Sequence, residues 1–147
     1  MKNFYVILMF LFIGCNSKSD KQDALDFYSS RIENLDINTD TEYVIVLPGL
    51  GCQGCIQEAE LFMKNNISRD EYYFVLTKVE SLKLLQQKTG INISEYENIY
   101  IDREMNFDLP SNNTIYPAVL KLENAMVQSV SFQSPENDIF SRIELER

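Results

Sequence analysis

A β-branched apolar run, Glu42 to Leu47 (Glu-Tyr-Val-Ile-Val-Leu), stops at Pro48-Gly49, and Cys52-Gln53-Gly54-Cys55 then opens a helical pattern. This handover constrains the fold more than any other feature of the chain. The short apolar run reads as a buried strand. After it, Cys55, Ile56, Ala59, Leu61, Phe62 and Met63 favour one side of a helix before Asn65-Asn66. The alternation continues with a second buried strand at Glu71 to Thr77, a short helix at Ser81 to Lys88 stopped by Gly90, and a third strand at Glu97 to Asp102. Pro117 then precedes Ala118 to Leu122 and Ala125 to Phe132, two strands across a Glu123-Asn124 turn. Ser134-Pro135-Glu136 opens a last helix, with Pro at its first position and Ile139, Phe140 and Ile143 on one face. The order β-α-β-α-β-β-β-α predicts an α/β domain, a central mixed β-sheet flanked by helices. An N-terminal extension precedes it, in which Leu25, Tyr28, Ile32 and Leu35 form a helical stripe within Ala24 to Ile37.

The first residues read as a targeting segment. Lys2 supplies positive charge, and Phe4 to Ile13 is apolar apart from Tyr5. A bilayer-spanning helix needs about 20 such residues, so the run suits the apolar centre of a signal peptide instead. Phe12-Ile13-Gly14-Cys15 resembles the lipobox of bacterial lipoproteins, with Phe12 where Leu is commoner. That resemblance implies cleavage before Cys15 and acylation of Cys15. The expected organisation is a signal peptide over 1–14, a lipidated polar tether over 15–23 and a folded domain over 24–147. The expected location is the bacterial cell envelope, anchored by acyl chains and facing the periplasm or exterior.

Composition excludes several classes of function. With 13 Lys plus Arg against 22 Asp plus Glu, no basic patch is visible, which argues against nucleic acid or an anionic lipid surface. Histidine is absent, which removes Cys-His and Ser-His-Asp catalysis and His metal sites. With Cys15 lipidated, Cys52 and Cys55 are the only free sulfurs, in a compartment where a disulfide persists. Two thiolates alone leave a zinc ion short of four ligands. We therefore expect no metal and no cofactor beyond a redox-active Cys52–Cys55 disulfide.

A Cys-x-x-Cys at a helix start brings both sulfurs within bonding distance in the first turn. The unpaired N–H groups and positive dipole end there favour the thiolate. With this motif at the first strand-to-helix junction and a Pro before the hairpin, the chain resembles the thioredoxin-like superfamily over roughly Glu42 to Arg147. Ile115-Tyr116-Pro117-Ala118-Val119 looks like that family's cis-proline loop. The resemblance implies a cis Pro117 packed against the sulfurs and a Tyr116 that offers backbone hydrogen bonds to an extended substrate. The alternative for Pro117 is a trans proline opening an edge strand.

Within the superfamily the chain looks most similar to the exported, membrane-anchored reductases of the TlpA/ResA type, in which an acid follows the second cysteine by three positions. That acid is Glu58 here, and the resemblance implies a proton acceptor for the resolving thiol; the plainer alternative is a solvated surface acid. The chain departs from the family at Gly51, where an aromatic is usual, at Gly54, where Pro is common, and at Val46, where cytosolic members hold a buried Asp. The two glycines suggest a pliable, less shielded loop.

The expected chemistry is thiol–disulfide exchange, with Cys52 as nucleophile and Cys55 as resolving thiol. The expected partners are disulfides of exported client proteins and a membrane redox partner that recharges the pair. The rival expectation is a non-catalytic thioredoxin-fold lipoprotein that binds a partner and uses Cys52–Cys55 only as a structural disulfide.

Overall fold

The computed structural model describes Asp20 to Leu145. The segment expected to be a signal peptide, Cys15, and Asn16 to Ser19 of the expected tether lie outside the described residues. The elements are α1 (Asp20–Ile32), β1 (Tyr43–Pro48), α2 (Gln53–Asn66), β2 (Tyr72–Thr77), α3 (Leu82–Thr89), β3 (Ile99–Asp102), β4 (Ala118–Glu123), β5 (Met126–Phe132) and α4 (Ile139–Leu145). Short 3₁₀ turns occupy Ile93–Glu95 and Asn112–Ile115. Among the described residues no helix is long and apolar enough to cross a membrane.

The five strands form one mixed sheet in the order β3-β2-β1-β4-β5. β1 and β2 pair in parallel, with Ile45 opposite Phe74, and β3 adds in parallel beyond β2. β4 runs antiparallel to β1, and β5 returns antiparallel along β4. β1 and β2 are buried at every position, because helices or loops cover both faces of the sheet. Alternate residues sort the core into two layers. Tyr43, Ile45, Leu47, Tyr72, Phe74 and Leu76 face α2 and α4, through Ile56, Phe62, Met63, Phe140 and Ile143. Val44, Val46, Tyr73 and Val75 face Ala24, Tyr28 and Ile32 of α1, with Phe107 and Leu109 beside them. Phe62 anchors the first layer, stacked on Phe140 at 4.6 Å and edge-on to Tyr72 at 5.1 Å.

The boundaries of α1, the hairpin turn and α4 differ from the sequence expectation. α1 begins at Asp20, inside the segment read as tether, and ends at Ile32 rather than Ile37. Asp20 and Asp23 in its first turn suit the helix N-terminus. Leu35 and Ile37 still pack on the same layer after the chain has turned, which extends the apolar spacing without extending the helix. The hairpin turns at Asn124-Ala125, both at positive φ, one residue later than expected, as a two-residue turn of this twist requires. α4 starts at Ile139, because Ser134 to Asn137 closes a turn of its own through Asn137 N–H to Ser134 O at 2.9 Å. Pro135 sits inside that turn, and Asp138 Oδ1 takes the Ser141 N–H as an N-cap does.

The segment after β3 is built on Asp102, buried at 4% exposure. Its carboxylate accepts from Thr77 Oγ1 at 2.8 Å and from the N–H groups of Asn106 (2.9 Å) and Phe107 (2.8 Å). Asp102→Ala strands all three donors, and we expect a loss of about 3 kcal/mol in urea unfolding. An unchanged midpoint would mean the loop is held by other contacts.

Candidate functional site

β1 leaves the sheet at Pro48, and Gly49 donates its N–H to Thr77 O at 2.8 Å. The chain passes so close to β2 here that a Cβ on Gly49 would lie 2.3 Å from Lys78 O. Gly51 follows at φ +148°, where a Cβ would lie 2.2 Å from Ile115 O. That same carbonyl accepts the Cys52 N–H at 2.9 Å. Gly51 is therefore a point of backbone contact, which corrects the expectation of a pliable spacer. Gly54 lies in the first turn of α2 with open space around it.

Cys52 is the N-cap of α2, and its carbonyl accepts from Ile56 N–H at 2.9 Å. Cys52 and Cys55 form a disulfide with their Cα atoms 5.3 Å apart. The two sulfurs differ in access: Cys52 is half-buried, whereas Cys55 is 3% exposed. The first turn of α2 holds no acidic residue, so the positive end of the helix faces Cys52 without a carboxylate of its own turn to oppose it. Leu50 and Ile115, both exposed, flank this end of the site. Among the described residues there is no cluster of three or more Cys, Asp or Glu suited to a metal.

The loop before β4 meets the motif as expected, but through a different geometry. No peptide bond among the described residues is cis, so Pro117 follows a trans bond and the cis expectation is corrected. Tyr116 closes the 3₁₀ turn Asn112–Ile115, with its N–H donated to Asn113 O at 3.0 Å. That N–H is bonded within the chain. Pro117 itself is fully buried, and its carbonyl accepts the Gln133 N–H at 2.9 Å. Beside Tyr116 and Asn113 runs an open groove of ≈ 690 Å³, walled by Val130 to Phe132 of β5, Pro135 and Lys21.

The site also rests on residues that sequence reasoning did not single out. Lys78, at positive φ, sends Nζ to Asp108 Oδ1 at 2.8 Å and to Thr114 Oγ1 at 2.8 Å. Thr114 in turn donates to Asp108. This tie holds the 3₁₀ turn, and so Ile115 O, against Cys52. The hydrogen bond from Lys78, then that from Thr114, keeps the Asp108 carboxyl below its usual range. Its contribution is therefore complete above the unfolded carboxyl pKa of about 4 and is lost as pH falls through the lower folded value. The Asp108 side chain is 37% exposed, so screening limits this contribution to under about 1 kcal/mol. The Cys52 and Thr114 amide shifts are expected to move together only below about pH 4; movement centred at neutral pH would contradict the assignment to Asp108.

Glu58 lies on the exposed side of α2, one turn beyond Cys55, where its Oε2 accepts from Gln133 Nε2 at 2.6 Å. Gln133 closes β5 and is almost wholly buried. A lone glutamine between Phe132 and Ser134 carries no sequence signal of that role.

No family model, curated protein or solved structure matches the chain.

Proposed function

We propose that the chain performs thiol–disulfide exchange through Cys52 and Cys55, on a domain of thioredoxin-like architecture. The observation that carries this reading is the unequal access of the bonded pair at the start of α2, a half-buried Cys52 before a buried Cys55. The parallel β1-α2-β2 unit with the pair at its first junction, and a proline loop touching Cys52, support the architecture. In the dithiol form, the Cys52 thiolate attacks one sulfur of a client disulfide. The client S–S bond breaks, its other sulfur leaves as a thiolate, and a mixed disulfide joins Cys52 to the client. Cys55 then loses its proton and attacks Cys52 Sγ, releasing the second client thiolate and restoring the Cys52–Cys55 bond. The client gains two electrons and the pair loses two, so each cycle needs an external dithiol or membrane carrier to reopen it. Glu58 is placed by sequence to take the Cys55 proton. Acylation of Cys15 and a membrane-anchored site in the cell envelope complete the proposal, on the strength of the Phe12-Ile13-Gly14-Cys15 pattern.

A second reading has its own support. The Tyr116 N–H is bonded within the chain, which leaves a substrate backbone one donor fewer beside the pair, as suits a partner-binding protein whose disulfide is a staple. Turnover of insulin disulfides by full-length protein under dithiothreitol separates the two. Exchange predicts turnover that Cys52→Ser reduces to background, and a staple predicts background in both.

A further inference from the structure

The side chain of Gln133 is a buried polar group that reaches α2, the helix that carries the disulfide. It is 2% exposed, and a buried amide needs all its partners. Its Oε1 accepts the Ile139 N–H at 2.8 Å and the Phe140 N–H at 3.3 Å, at the start of α4. Its Nε2 donates to Glu58 Oε2 at 2.6 Å and lies 3.5 Å from Asp138 Oδ1. Its backbone N–H goes to Pro117 O. One residue thus joins α2, the proline loop and α4. Capping α4 uses Oε1 alone; the short bond from Nε2 reaches a different helix and an ionisable group. Residues three apart on a helix have Cβ atoms about 5–6 Å apart, so the glutamate that Gln133 grips is rooted one turn of α2 from Cys55.

We propose that Gln133 is a positioning residue of the disulfide site, whose side-chain N–H fixes the Glu58 carboxylate, one turn of α2 from Cys55, in a single place. Its purpose rests on the exchange reading above, since a fixed carboxylate there serves the proton that Cys55 must lose. Unpinned, an exposed glutamate on a helix surface gives up one rotamer for many and spends its time in water. The ionisable groups facing the junction are Glu58 on α2 and, from the α4 side, Asp138, which also feels Arg142.

The test titrates Cys55 directly and needs no turnover. Thiolate absorbance is followed against pH in full-length Cys52→Ser protein, with Cys52→Ser/Cys55→Ser subtracted. Glu58→Gln is expected to lower the Cys55 midpoint by about half a unit, by removing a like charge one turn away. Gln133→Met is expected to move it the same way by a smaller amount, and to add nothing once Glu58→Gln is present. Equal shifts from Gln133→Met in both backgrounds, or none in either, would overturn the proposal. Wild-type protein supplies a second measurement should Gln133→Met fail to fold. The Gln133 side-chain amide resonances are expected to move when the disulfide is reduced; identical resonances in disulfide and dithiol forms would also overturn it. If insulin turnover is absent while these shifts appear, only the exchange reading falls.

Discussion

Full-length Cys55→Ser protein is expected to accumulate a client covalently held on Cys52, while Cys52→Ser protein holds none. Access decides which sulfur a client meets. Cys52 caps α2 and reaches solvent, whereas Cys55 is buried beneath it at 3% exposure. A client disulfide can meet only the first sulfur. Once the mixed disulfide forms, its release depends on Cys55, held by α2 with its Cα 5.3 Å from that of Cys52. An attacking group fixed at that range reacts as though at very high concentration. Serine removes it, so the adduct's lifetime should lengthen by on the order of 1,000-fold or more. Non-reducing electrophoresis and mass spectrometry of the adduct would read the effect and identify the client. If Cys52→Ser traps partners instead, the roles of the two thiols are reversed.

Gly51→Ala is expected to cost about 3 kcal/mol in urea unfolding, through a backbone clash and a disfavoured φ. The new Cβ would sit 2.2 Å from Ile115 O and 2.8 Å from the Ile115 carbonyl carbon, at φ +148°. No side chain there can move aside; the contact is with backbone, and relief requires the proline loop to retreat. Retreat breaks the Cys52 N–H to Ile115 O bond, so the Cys52 amide should lose protection from hydrogen exchange in the same variant. Gly54→Ala is the control, two residues beyond Cys52 and with nothing within 4 Å of its Cβ. In the first turn of α2 it should gain about 0.5–1 kcal/mol from the lost freedom of glycine. Equal effects at the two glycines would mean that the loop contact does not hold the site together.

The two glycines also mark how far the sequence could be read. The strands at Tyr43–Pro48 and Tyr72–Thr77 were legible because burial on both faces writes a continuous apolar run. Gly90 announced the end of α3 because its φ of 73° is a left-handed cap. Cys52 and Cys55 were legible as a pair because their spacing is local. What stayed hidden depends on contacts between distant segments. The closeness of Gly51 to Ile115 spans sixty-four positions of chain, and nothing near either residue encodes it. The same holds for Lys78 on Asp108 and Gln133 on Glu58. The start of α4 was misplaced because Pro135 suits a turn as well as a helix N-terminus, and tertiary capping by Gln133 and Asp138 decided the matter. The isomer of the Tyr116–Pro117 bond was expected from resemblance alone, and there the structure departs from it.

The central claim is that Cys52–Cys55 opens and closes on a fold that does not need it. Its most direct test is titration of native full-length protein with dithiothreitol, counting free thiols while near-ultraviolet circular dichroism follows the packing of Phe62, Tyr72 and Phe140. The account predicts that both thiols appear at millimolar reductant with the aromatic signal unchanged. A disulfide that opens only as that signal collapses would be a structural staple, and the claim would be wrong.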